Sequence, residues 1–175
     1  IVDPTLATNK VARFTKPTNA PEWAGVTVTG AAELGFVNRI PFSAGNTRMN
    51  VRVWSPNAGI KVRLKVEVPG DPTKSVETEV TNTVANAWET LEFNFANQAT
   101  GTAPLDLAIN YKKASIFFNF GVTGAAAGEK TYFFDDMRFG SIITSVRNTE
   151  LFNEQIRVYP NPVTENLIIN SRAGT

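Results

Sequence analysis

The chemistry open to this chain is that of carboxylates, lysine, arginine, tyrosine and hydroxyls, because its 175 residues include no histidine and no cysteine. Those two zeros remove Ser-His-Asp and Cys-His catalysis, Cys/His zinc sites, disulfides and haem ligation through either residue. Two pairs of acids stand out. Glu77 and Glu79 are two apart, so on a strand they share a face about 7 Å apart. Inverting glycosidases use that range, but any exposed strand with two acids produces it, and the surrounding 74–79 stretch reads as a polar edge strand. Asp135 and Asp136 are adjacent. On a strand they point to opposite faces, which rules them out as an acid–base pair on one substrate. Either can still bind a hard cation through its oxygens.

The other candidates are aromatic. Most of the twelve Phe fall on the apolar face of an alternating segment and read as core, whereas the three Trp need separate placement. Trp88 precedes Leu91 and Phe93 and is read as packing into the core. Trp23, beside Pro21 and Glu22, is either a loop contact or a plug over a sheet edge. Trp54 shares parity with Arg52, opposite Met49, Val51 and Val53, and so should point away from the core. By the same parity Phe117 and Asn119 oppose Ile116 and Phe118. Arg63, Lys65 and Glu67 oppose Val62, Leu64 and Val66. If these strands form one concave sheet, its outer face carries Trp54, Arg52, Arg63, Lys65, Glu67, Phe117 and Asn119. Flat aromatic faces beside charged and amide groups suit the apolar faces and hydroxyls of sugars.

The elements that must position these residues are strands. Period-two alternation recurs at 10–14, 23–29, 49–54, 61–68, 76–80, 90–95, 115–120 and 131–139. No long segment shows a capped 3.6-residue period. Short strands joined by Gly, Pro and Asn turns point to an all-β antiparallel sandwich. Lys and Arg number 17 against 16 Asp and Glu, a net charge of +1 that offers no basic field to nucleic acid. No apolar run of about eighteen residues is present, so no membrane-inserted helix is expected. The patterning weakens after Gly140, which divides the chain into a domain over 1–140, a linker over 141–153 and the start of a second β module over 154–175. The abrupt first and last residues read as those of a fragment of a longer protein.

Two resemblances add to this. Val158-Tyr159-Pro160-Asn161-Pro162-Val163 and the alternating residues to Ile169 resemble the opening of a type A C-terminal sorting domain of the type IX secretion pathway. That implies export to the surface or surroundings of a Gram-negative bacterium. Residues 3–140 carry Asn9-Lys10-Val11-Ala12-Arg13-Phe14, Trp23-Ala24-Gly25-Val26, Val53-Trp54-Ser55-Pro56-Asn57, Ala87-Trp88-Glu89-Thr90-Leu91 and Tyr132-Phe133-Phe134-Asp135-Asp136-Met137. In that order they resemble the β-jelly-roll modules appended to secreted glycanases, of the carbohydrate-binding family 4, 9, 16 and 22 kind. The resemblance implies a structural calcium near the Asp-Asp pair, with Asp135, Asp136 and Asp3 as ligands and Glu33 as a further candidate.

The expectation is therefore a non-catalytic, monomeric module that binds polysaccharide, belonging to a secreted or cell-surface glycan-degrading protein. The alternative is a structural or adhesion sandwich with no sugar site. A lyase would need a base beside a charge-neutralising group, here Tyr or Lys with Arg, for example Tyr111 with Lys112, and no constellation supports it.

Overall fold

The structure, a computed structural model, describes residues 1–28, 35–142, 156–159 and 168–171. It consists of two units, Ile1–Ile142 and Ile143–Thr175. The first is a sandwich of two four-stranded antiparallel sheets. One sheet has the order β1 (Ala12–Lys16), β8 (Lys130–Phe139), β3 (Arg48–Ser55), β6 (Ala87–Asn94). The other has the order β2 (Val26–Val28), β7 (Lys113–Phe118), β4 (Lys61–Val68), β5 (Asp71–Thr81). Only β4 to β5 is a hairpin within one sheet; every other connection up to β8 crosses between the sheets, as in a jelly roll.

The alternation explains the layers. Met49, Val51 and Val53 from β3, with Leu91 and Phe93 from β6, face Val62, Leu64 and Val66 from β4 and Ala114, Ile116 and Phe118 from β7. All are buried, and Tyr132 stacks on Phe118 with ring centroids 4.8 Å apart. Packing of two inner faces at about 10 Å separation leaves every other residue turned outward. The hairpin turn at Pro69–Gly70 needs its glycine, which takes φ of 77°.

The strands differ from the pattern at their ends. The strand expected over 23–29 is only Val26–Val28, so Trp23 lies in a loop. The strand expected to reach Phe120 ends at Phe118, because Asn119 turns into the left-handed region at φ 48°. The one helix among the described residues, α1 (Gly124–Ala127), is a single turn. In β8 a register shift leaves Asp136 and Met137 opposite Val51, and Asp136 takes φ 48°. This is a β-bulge. It switches the inward parity from Tyr132 and Phe134 to Met137 and Phe139, so Asp135 and Asp136 do not simply face opposite ways.

In the second unit β9 (Ile156–Tyr159) pairs antiparallel with β10 (Ile168–Ser171). The Pro160–Pro162 turn expected between them, and Glu33, lie outside the described residues.

Candidate functional site

The outer face of the β1–β8–β3–β6 sheet gathers aromatic side chains in one row. Trp54 on β3 stands directly opposite Trp88 on β6 and opposite Phe133 on β8, and Phe133 stands opposite Arg13 on β1. Directly paired residues of antiparallel strands project from the same side. The row therefore runs Trp88, Trp54, Phe133, Arg13 across four strands. The Trp54 and Phe133 rings meet edge to face at 5.4 Å and 76°. The Arg52 guanidinium lies 4.1 Å over the Trp88 ring. Trp54, Trp88 and Phe133 are all half-buried, and Arg13 is exposed. The Trp54 indole N–H is covered and has no partner among the described residues, so what Trp54 offers a ligand is ring surface.

One edge of this row is held by the first eleven residues. Asp3 Oδ1 accepts from the Thr5 N–H at 2.7 Å, the Thr5 hydroxyl at 2.8 Å, the Leu6 N–H at 3.2 Å and the Trp88 indole N–H at 2.9 Å. Its other oxygen lies 3.5 Å from the Arg52 guanidinium and accepts from Asn9, which also donates to Asp135 at 3.1 Å. Burial alone would push the Asp3 carboxyl up. The donors of Thr5, Trp88 and Asn9 outweigh it and hold the group well below the usual carboxylate range.

The opposite outer face is a lattice of ion pairs. Arg63 on β4 binds Glu77 at 3.0 Å and Glu79 at 2.7 Å on β5, and stacks 3.6 Å over Phe120. Lys61 pairs with Glu79 at 2.8 Å, and Glu67 takes both Lys65 at 2.6 Å and Lys113 at 2.9 Å. Burial pushes Glu67 and Glu79 up, but the hydrogen bonds and charges of these cations bring both below their ordinary value. Phe117 packs its ring on Gly25, where a Cβ would overlap it, and meets Phe120 edge to face at 6.0 Å.

The seven residues expected on one face are thus divided. Trp54 and Arg52 belong to the first sheet, whereas Arg63, Lys65, Glu67 and Phe117 belong to the second. Each strand does turn them outward, but the outer faces of a sandwich look in opposite directions, so no single surface holds both sets. Asn119 lies in neither sheet; it serves the turn after β7 and its carbonyl accepts from Lys16 and from Val122 N. Glu77 and Glu79 are occupied by Arg63, which leaves them a structural part. The Tyr111 hydroxyl is an acceptor for the Asp106 N–H, and its side chain is buried.

Trp88 is corrected most clearly. It was expected in the core, yet it pairs with Trp54 on the outer face. The signal was present: position 88 has the parity opposite to Leu91 and Phe93. Phe133 was missed in the same way, since it is odd where Tyr132 and Phe134 are even. The three aspartates expected as calcium ligands each have a partner within the protein. Asp3 is filled by its donors, Asp135 faces Asn9, and Asp136 pairs with Arg138 at 2.8 Å on the surface. Among the described residues no group of three or more acidic side chains is placed to hold a metal ion.

This geometry is joined by one sequence relationship. Residues 9–122 match the family described as carbohydrate binding module (family 35). The match spans β1 to β7, with Trp23, Arg52, Trp54 and Trp88, and stops before β8, β9 and β10. No curated protein matches the chain. The family number differs from the four that the motifs resemble, but the kind of module is the same. An all-β sandwich that matches over most of its first unit, and that carries aromatic rings on an outer face, belongs to the family 35 carbohydrate-binding modules.

Proposed function

We propose that this module binds polysaccharide through the outer face of the β1–β8–β3–β6 sheet and has no catalytic role. The observation that carries this reading is the row Trp88, Trp54, Phe133 on three adjacent strands. Strands lie about 4.8 Å apart, so the row is about 10 Å across and long enough for more than one sugar ring. Arg52, Thr90 and Asp135 stand one step along the same face, with polar groups for hydroxyls. The parent is a secreted or cell-surface glycan-degrading protein of a Gram-negative bacterium. Its export by type IX secretion is supported by the Tyr-Pro-Asn-Pro motif and by the strand pair β9–β10 on either side of it.

A few stacking contacts of about 0.5–1.5 kcal/mol each give weak affinity, on the order of micromolar to millimolar. The test is affinity electrophoresis against soluble xylan, galactomannan, mixed-linkage β-glucan and polygalacturonate, followed by calorimetry on those retained. Trp54→Ala is expected to weaken binding about 2- to 10-fold with little change in melting temperature. Trp88→Phe keeps a ring but loses the bond to Asp3, so it should cost stability more than affinity. A folded Trp54→Ala protein that binds like the wild type would move the site off this sheet. A wild-type protein retained by none of the four glycans would favour the structural or adhesion alternative.

A further inference from the structure

Trp23 takes no part in either outer face. It is 64% exposed, the one aromatic among the exposed large hydrophobic side chains of the described residues, and it sits in the loop that carries the chain from β1 to β2, from one sheet to the other. An indole left in water on a floppy loop would need no explanation. This loop is not floppy in its bonding. Lys16, the last residue of β1, is 1% exposed and turns inward. Its ammonium donates to three backbone carbonyls, those of Glu22 at 3.2 Å, Phe118 at 3.3 Å and Asn119 at 3.1 Å. All three of its protons are used, and one of the carbonyls belongs to the residue just before Trp23. The Glu22 carbonyl also accepts from Gly121 N at 3.2 Å, and Gly124 N donates to Ala20 at 2.9 Å. A tight turn closes the segment, with Ala24 N on the Pro21 carbonyl at 3.1 Å.

Topology adds a second observation. The C-terminal ends of β1 and β3 and the N-terminal ends of β6 and β8 are paired with one another, Lys16 with Lys130 and Ser55 with Ala87. These four ends therefore form one end of the sandwich. Trp54 is the next-to-last residue of β3, Trp88 is the second residue of β6, and the Trp23 loop leaves β1 at the same end. The three tryptophans of the chain are thus carried toward the same end of the sandwich, Trp23 from the β1 edge and Trp88 from the β6 edge.

We propose that Trp23 is a second stacking platform for a pyranose ring, separate from the sheet row, and that Lys16 is the residue that positions it. The proposal rests on the polysaccharide-binding reading above. The occupant is a sugar unit of the same polysaccharide, because the ring is flat, exposed and carried on a loop already fixed in place, and because the chain belongs to a carbohydrate-binding family. Pre-fixing the loop removes the ordering cost that a mobile loop would charge to binding. Two weak contacts on one glycan chain then act together, so that long chains bind more tightly than short ones.

The experiment uses the same four polysaccharides and oligosaccharides of two to six units made from whichever binds. Trp23→Ala should lower affinity for the polysaccharide about 2- to 10-fold and leave the melting temperature unchanged. It should leave the shortest oligosaccharide that binds the sheet unaffected. In a Trp54→Phe/Trp88→Phe background Trp23 is the sole indole, and its fluorescence should shift to shorter wavelength or be quenched on titration with the polysaccharide. Lys16→Met should remove the same increment as Trp23→Ala, and the double variant should lose no more than either alone. Should Lys16→Met fail to fold, the Trp23→Ala titration and the Trp23 emission decide alone. Wild-type binding with an unchanged Trp23→Ala affinity and silent Trp23 emission would overturn the second platform while leaving the sheet site standing. A wild-type protein that binds none of the glycans overturns both.

Discussion

Asp3 is where the N-terminal loop, the outer sheet face and the electrostatics of the site meet. It accepts from Thr5, Leu6, Asn9 and Trp88 while remaining 3% exposed. A carboxyl with a lowered folded value contributes stability that is present above its ordinary value, 3.8, and is lost as pH falls below it. The melting temperature is therefore expected to be flat from neutral pH downward until about pH 4 and then to fall. In Asp3→Asn the fall should be shallower, and the gap between wild type and variant should close on acidification. Melts at half-unit pH steps check this. A gap that stays constant down to pH 2.5 would mean that Asp3 acts through shape and not through charge. The same crowding of donors bears on calcium. Since Asp3 has no oxygen to spare, a chelator is expected to leave the melting temperature unchanged. A chelator-dependent drop would assign an ion to Asp135 or Asp136 and require Asp3 to exchange its partners.

At the scale of the element, β8 shows how one extra residue redirects a strand. Asp136 holds φ 48° at the bulge, a conformation that costs most side chains about 1–2 kcal/mol and glycine little. Asp136→Gly is expected to hold or slightly raise stability, and Asp136→Val to lower it by about 1–2 kcal/mol. Chemical denaturation of the two variants separates these outcomes; equal losses would show that the Asp136–Arg138 pair and not the backbone sets the cost. The bulge also marks how far the sequence could be read. Parity along β3 and β4 identified the core and the outward residues, because those strands keep strict alternation. It could not say that β3 and β4 lie in different sheets, since pairing is fixed by residues distant in the chain and parity is a local property. It failed beyond Asp135 because an inserted residue exchanges the faces. It was available but unused at Trp88 and Phe133, where two outward rings were legible from spacing alone. Lys16 could not have been found from pattern: an inward lysine in an apolar position looks like an error until three carbonyls are seen to converge on it.

For the whole molecule, the eight described strands of the sandwich all lie in its first unit. Gly140 N closes on the Arg48 carbonyl, and Ile142 N donates to Glu92 at 2.9 Å, so the last stabilising contacts of β8 extend to 142. A protein ending at 142 should therefore keep both the melting temperature and the glycan affinity of the full chain, whereas one ending at 138 loses both contacts and should melt lower. Calorimetry of the two truncations tests this, and a fall of several degrees on removing 143–175 would assign that segment a part in the sandwich. The two outer faces also divide the labour of the fold. On one, charges neutralise each other across β4 and β5; on the other, aromatic rings line the strands. The loop end has a property of its own. Three carbonyls around a cation are the beginnings of an ion-binding cage, and here the cation is the tip of a side chain. It cannot dissociate, be exchanged for another ion or be stripped by phosphate or by acidic polymers in the surroundings. That end of the module thus keeps its shape whatever the ionic composition around it.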